Sequence, residues 1–221
     1  MDGNVEKIFL LFNILTVEKL SDSIQNRFPF NHYKKIKNEG GGWSIEHIHA
    51  QQSEPMKEDM AIRIWLEDTL KSIENIQYIE IEKEIMDENG NIETSFEKKD
   101  VNTIFVNNIN ALLDNQKIDI EEFNKLKDEL IRLFESSSVH ELDNLALLSK
   151  KDNSALNNSI FPVKRNKIID IEKEGKFIPP CTRNVFLKFY SNSDNQPYYW
   201  SKTDKDLYFK AIEKVLNPFL N

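Results

Sequence analysis

The acidity of this chain is gathered into one stretch, and that gathering constrains the fold more than any other feature. Residues 51–135 hold 21 acidic and 10 basic side chains, a balance of −11 in a chain whose net charge is −8. The other 136 residues therefore sum to +3, and residues 136–190 carry 9 basic against 6 acidic groups. The acidic middle reads as an insertion dominated by helices, while the rest remains free to face a polyanion. Within the insertion, Pro55–Ile76 sets Met56, Met60, Ile64, Leu70 and Ile73 mainly along one side of a helix. Asp119–Glu135 does the same with Phe123, Leu126, Leu130 and Phe134, opening at a capping Asp119. Asn89-Gly90, inside the turn Asp87-Glu-Asn-Gly-Asn, is a hairpin signal. No repeat of fixed period runs through the chain.

The flanks have a different character. Val5–Leu20 is apolar at helical intervals through Ile8, Leu11 and Leu15, and Arg27-Phe-Pro-Phe breaks it. Gly40-Gly-Gly then punctuates the chain before Trp43-Ser-Ile-Glu-His-Ile-His, which alternates as a strand does. Glu141-Leu-Asp-Asn-Leu-Ala-Leu-Leu-Ser is a short apolar run suited to a buried strand, followed by a polar, turn-like Lys150-Lys-Asp-Asn-Ser. Ala155–Lys173 reads as a helix interrupted or begun afresh near Pro162, and a last helix runs from about Asp204 to Leu216 on Leu207, Ile212 and Val215.

With 221 residues the chain is one large domain or two small ones, able to bury a core. Hydrophobic content of 39% with 14 Phe places it among folded globular proteins, with Phe and Trp as core by default. Its apolar runs, such as Ile8–Phe12, are too short to cross a bilayer, and nothing near Met1 reads as a signal peptide. A single cysteine, Cys181, excludes an internal disulfide and any multi-cysteine zinc site, suits a reducing cytoplasm, and reads as a buried small hydrophobe. A bound metal would have to use His, Asp, Glu or Asn, which favours a hard ion such as Mg²⁺.

Of four histidines, His47 and His49 sit two residues apart beside Glu46. Neighbours on a regular strand face opposite ways, so Glu46 and His47 share a reaction only where the strand ends or bulges. His47 and His49 would share a face, yet no third soft ligand accompanies them. The alternative is structural: His49 packed on the insertion and His47 bonded to a backbone carbonyl.

Taken together, Trp43-Ser-Ile-Glu-His-Ile-His-Ala-Gln and Leu142-Asp-Asn-Leu-Ala-Leu-Leu-Ser-Lys-Lys-Asp-Asn-Ser-Ala-Leu-Asn-Asn resemble the HNH nuclease motif, also called ββα-metal or His-Me finger. The resemblance is nearest to the C-terminal domain of GmrSD-type modification-dependent restriction endonucleases. The family pattern falls on Glu46-His47, Asn144 and Asn153, the last two nine residues apart. Arg27-Phe-Pro-Phe and Phe177-Ile-Pro-Pro-Cys-Thr-Arg look like the family's flanks. Two positions depart from it: Ala50 stands where many relatives have Pro, and Glu46 where many HNH enzymes have Asp.

The resemblance implies an α+β, predominantly helical fold: a ββα-metal core with a large helical insertion, residues 51–140, between its two strands. Residues 1–221 would form one HNH-type nuclease domain, the C-terminal part of a larger bacterial, cytoplasmic protein with an N-terminal nucleotide-binding or DNA-sensing domain or subunit. Homodimerisation to cut both strands is left open. The implied activity is DNA phosphodiester hydrolysis in restriction of foreign DNA. His47 would be the general base, Glu46 and Asn153 would hold Mg²⁺ or another hard divalent cation such as Mn²⁺, and Asn144 would fix the loop that orients His47. Lys150, Lys151, Lys164, Arg165 and Lys167 would contact phosphates. Asn144 as a turn residue, Asn153 as a helix cap and the basic side chains as solvated surface are the structural alternatives. His49 stays open between phosphate contact, support of the site and packing. The competing reading of the whole chain is a catalytically inactive protein-interaction or DNA-binding module.

Overall fold

The computed structural model describes residues 2–19, 27–39, 41–49, 56–86, 92–134, 142–156, 158–191 and 197–219. The fold is α+β and predominantly helical, with two small antiparallel sheets among the described residues. No helix among the described residues is long and apolar enough to cross a membrane.

Helix α1 (Asp2–Lys19) buries Phe9 and Phe12, whereas Ile8 and Leu11 of the expected apolar spacing are exposed, and α2 (Phe30–Glu39) buries Tyr33. The glycine run then turns the chain. Gly41 and Gly42 have φ of 84° and 96°, a left-handed conformation that suits residues without a Cβ. Strand β1 (Trp43–His47) follows, its first side chain stacked on Tyr33 with ring centroids 4.8 Å apart.

Crossing the insertion, the chain forms α3 (Asp59–Ile73), the hairpin β2 (Tyr78–Met86) and β3 (Ile92–Asp100), a π-helical turn (Asn102–Val106), α4 (Asn107–Asp114) and α5 (Ile120–Phe134). One expectation changes here. The buried side of α3 is Ile62, Trp65, Leu66, Thr69 and Ile73, whereas Met60 and Ile64 are exposed. The hairpin expected within the insertion is present, each of its two strands nine residues long. The Asn89-Gly90 turn between its strands, and Pro55 before α3, lie outside the described residues. Asp119 does cap α5, its Oδ1 accepting from the backbone N–H groups of Glu121 and Glu122 at 2.8 and 3.1 Å.

After a short 3₁₀ turn (Leu142–Asn144), β4 (Leu145–Ser149) pairs antiparallel with β1, Trp43 opposite Ser149 and His47 opposite Leu145. Every residue of β4 is buried. A buried strand with one partner leaves backbone groups to satisfy on its other edge. Thr182 Oγ1 donates to the Leu147 carbonyl at 2.5 Å, and the Tyr208 hydroxyl to that of Leu145 at 3.0 Å. The chain continues directly into α6 (Lys150–Leu156), then α7 (Phe161–Lys173), α8 (Pro180–Phe186) and α9 (Lys202–Leu216).

The segment from Lys150 to Ser154, turn-like by its polar sequence, is helical. Ser149 supplies the reason: its hydroxyl accepts from the Asp152 N–H at 3.1 Å and donates to Asp152 Oδ2 at 2.5 Å, a reciprocal cap at the helix start. The restart expected near Pro162 is found, with Pro162 in the first turn of α7.

The apolar residues fall into two clusters. One joins α1, β1, β4, α7, α8 and α9 around Phe12, Leu147, Phe161, Trp200 and Tyr208. The other joins α3, α4 and α5 around Trp65, Leu66, Phe123 and Leu130. Helix α7 begins at the boundary: Val163 belongs to the second cluster, Phe161 and Ile168 to the first. Trp43, Trp65 and Trp200 are buried as expected, but Phe30, Phe96, Phe189, Phe209 and Phe219 are exposed.

Candidate active site

Strand β1 stops at His47, which meets the condition for Glu46 and His47 to serve one point. A cleft of about 450 Å³ is lined by Ser44, Glu46, His47, Lys150, Asn153, Ser154, Asn158 and Lys164. Residues 44, 46 and 47 come from β1, and 150, 153 and 154 from α6, so the antiparallel pair and the helix after it converge on one opening.

Asn153 is oriented by two contacts from its Nδ2: 2.9 Å to Ser44 Oγ and 3.0 Å to the Ile45 carbonyl. A carbonyl only accepts, so the amide nitrogen must face the strand, and Oδ1 is the atom left for a ligand. Asn153 is not the helix cap, a role Ser149 fills.

Glu46 is 4% exposed, and its Oε1 lies 2.7 Å from Lys164 Nζ. The same ammonium donates to the His47 carbonyl at 2.6 Å. Burial pushes the Glu46 carboxyl above its ordinary range, and the Lys164 charge and hydrogen bond pull it back. His47 itself is half-buried at the mouth of the strand.

Asn144 lies off the cleft and is fully buried. Its side-chain oxygen accepts from the His49 N–H at 2.8 Å, and its backbone carbonyl accepts from the Ile48 N–H at 2.8 Å. It therefore clasps the two residues after His47. His49 turns away into the core, 1% exposed, with Nε2 3.0 Å from the Trp200 carbonyl. Of the three alternatives for His49, packing matches this position, but against Trp200 of the C-terminal flank and not against the insertion.

The basic residues divide. Lys150 and Lys151 are exposed on α6, where phosphate contact was expected, and Lys150 borders the cleft. The three on α7 depart from that expectation. Lys164 is 1% exposed and engaged as above. Arg165 is half-buried, its guanidinium 5.9 Å from the Tyr198 ring centre. Lys167 is paired with Asp68 at 2.7 Å and donates to the Ala155 carbonyl at 3.0 Å. Helix α7 is wedged between the two clusters, and its basic side chains are spent on internal partners.

Ser44, Ser154 and Asn158 are cleft residues that sequence reasoning passed over. Ser44 had a usable signal, since it lies two positions before Glu46 on the same strand face. Ser154 and Asn158 lie within the stretch that carries the resemblance, so they too had a signal.

Among the described residues no group of three or more His, Cys, Asp or Glu side chains could hold a metal. The cleft offers a smaller set of hard donors, the Glu46 carboxylate and the Asn153 Oδ1. A carboxylate has two oxygens, and Lys164 engages Oε1. Two protein oxygens with the remaining positions filled by water suit Mg²⁺, which gives up its hydration reluctantly. No family model, curated protein or solved structure matches the chain.

Proposed function

We propose that the chain is an HNH-type endonuclease domain that hydrolyses DNA phosphodiester bonds with the help of Mg²⁺ or Mn²⁺, in bacterial defence against foreign DNA. One observation carries the reading: carboxylate, imidazole and amide, from positions 46, 47 and 153, line the same opening.

His47, in its neutral form, takes a proton from the water that attacks phosphorus. Asn144 keeps the residues beyond His47 in place through contacts with positions 48 and 49. Lys150 and Lys151 meet the phosphates that flank the cut and carry no sequence information. Glu46 and Asn153 are the residues that would hold the divalent ion, which supplies charge neutralisation for the phosphate and the departing oxygen.

The test is nicking of a supercoiled plasmid by the purified chain with Mg²⁺, with Mn²⁺ and with EDTA. Cleavage should need the ion and fall by roughly 10²- to 10⁴-fold in His47→Ala, the range a general base contributes. Intact plasmid under all conditions, from a chain that is folded, would reject the reading. One observation favours the inactive DNA-binding or protein-interaction module instead: Glu46 already has a cationic partner in Lys164. That module would bind a duplex or a protein partner and never cut.

A further inference from the structure

Lys164 is almost wholly enclosed, yet it borders the cleft. An ammonium so deeply buried persists only where its donors are satisfied by well-placed acceptors. Two of its partners belong to adjacent residues of β1: the side-chain carboxylate of Glu46 and the main-chain carbonyl of His47. Holding one residue by its side chain and the next by its backbone pins the carboxylate together with the end of the strand. The direction in which the imidazole leaves the chain follows from that backbone.

The helix bearing this ammonium is itself held from two other sides. Asn166 Nδ2 donates to Ser72 Oγ at 3.2 Å, and Lys167 ties α7 both to Asp68 of α3 and to the end of α6. Lys164 is thus set by the surrounding helices and not by the cleft.

We propose, resting on the nuclease reading, that Lys164 is the positioning residue of this site. It holds the Glu46 carboxylate and the His47 backbone in the arrangement that metal binding and cleavage require, and it does not contact DNA. A side chain that is 1% exposed has no surface with which to meet a phosphate.

The experiment compares the full chain with K164M and K164Q, and with K150M as a phosphate-contact control. K164Q keeps a donor for the His47 carbonyl and serves if K164M fails to fold, which thermal melting reports. Binding of a labelled duplex is measured against salt, Mn²⁺ binding by electron paramagnetic resonance, and cleavage on plasmid. The Lys164 variants should match the wild type in duplex affinity and salt slope, whereas K150M should lower the slope by about 0.9. They should also bind Mn²⁺ and cleave roughly ten- to a hundredfold less well, as when a group supporting a metal ligand is lost.

A folded Lys164 variant with wild-type Mn²⁺ affinity and cleavage would overturn the proposal and leave the nuclease reading standing. So would one whose only defect is weaker, less salt-dependent duplex binding. A wild-type chain that neither binds Mn²⁺ nor cuts DNA would overturn both.

Discussion

The protonation of His49 follows from its surroundings. Burial holds the imidazole pKa well below 6.5, the Lys205 charge pushes it the same way, the Trp200 carbonyl opposes both, and Lys164 lowers it further. The folded ring is therefore neutral, with the proton on Nε2 facing the carbonyl. In the unfolded chain a histidine titrates near pH ~6.5. Below that pH the unfolded state takes up a proton that the folded state refuses, so stability is complete above it and declines as the pH falls. The slope approaches ~1.4 kcal/mol per pH unit for one such group. Urea denaturation at a series of pH values from neutral to mildly acidic should show this decline, and His49→Gln should flatten it. An unchanged slope in the variant would place the acid sensitivity elsewhere.

Among the elements, α9 shows how a local signal fastens a distant strand. Ser201 Oγ accepts from the Asp204 N–H at 3.1 Å, and Asp204 Oδ2 accepts from the Ser201 N–H at 2.9 Å, closing a capping box. Lys188 Nζ lies 2.7 Å from the same carboxylate oxygen and donates to the Tyr199 carbonyl at 2.8 Å. Further along α9, Tyr208 reaches the Leu145 carbonyl of β4, so the helix start and the strand beside the cleft are connected. Ser201→Ala should cost about 1 kcal/mol, read as a lower urea midpoint with an unchanged denaturant slope. Apolar spacing starts this helix at about Asp204, and the cap lies three residues earlier. Apolar spacing marks the body of a helix, not where its first N–H groups find acceptors. The same limit explains α6, whose polar opening carries no periodicity and whose helical state comes from Ser149.

For the whole molecule, the question is whether the insertion and the flanks fold as one unit. Their apolar clusters are distinct, but α7 enters both, and polar contacts from Asn166 and Lys167 lock it to α3. Trp65→Ala in one cluster and Phe161→Ala in the other should each cost about 3–5 kcal/mol. Because the clusters share α7, each substitution should shift one common calorimetric transition. Two resolved transitions, only one of which responds to each substitution, would show that the clusters melt separately.

The sequence alone determined the elements whose signals are local: the helix at α1, the strand at Trp43–His47, the apolar run of β4, the Asp119 cap and the fresh start near Pro162. Periodicity and capping depend on neighbours within a few positions, so a linear reading captures them. It also singled out Glu46, His47 and Asn153, which the fold brings to one cleft. Only the tertiary structure decided which faces of α1 and α3 are buried, that His49 turns into the core, and that Lys164, Arg165 and Lys167 point to partners within the protein. An ion pair between residues 46 and 164 leaves no trace in spacing or composition, because charge is free to face solvent until packing encloses it.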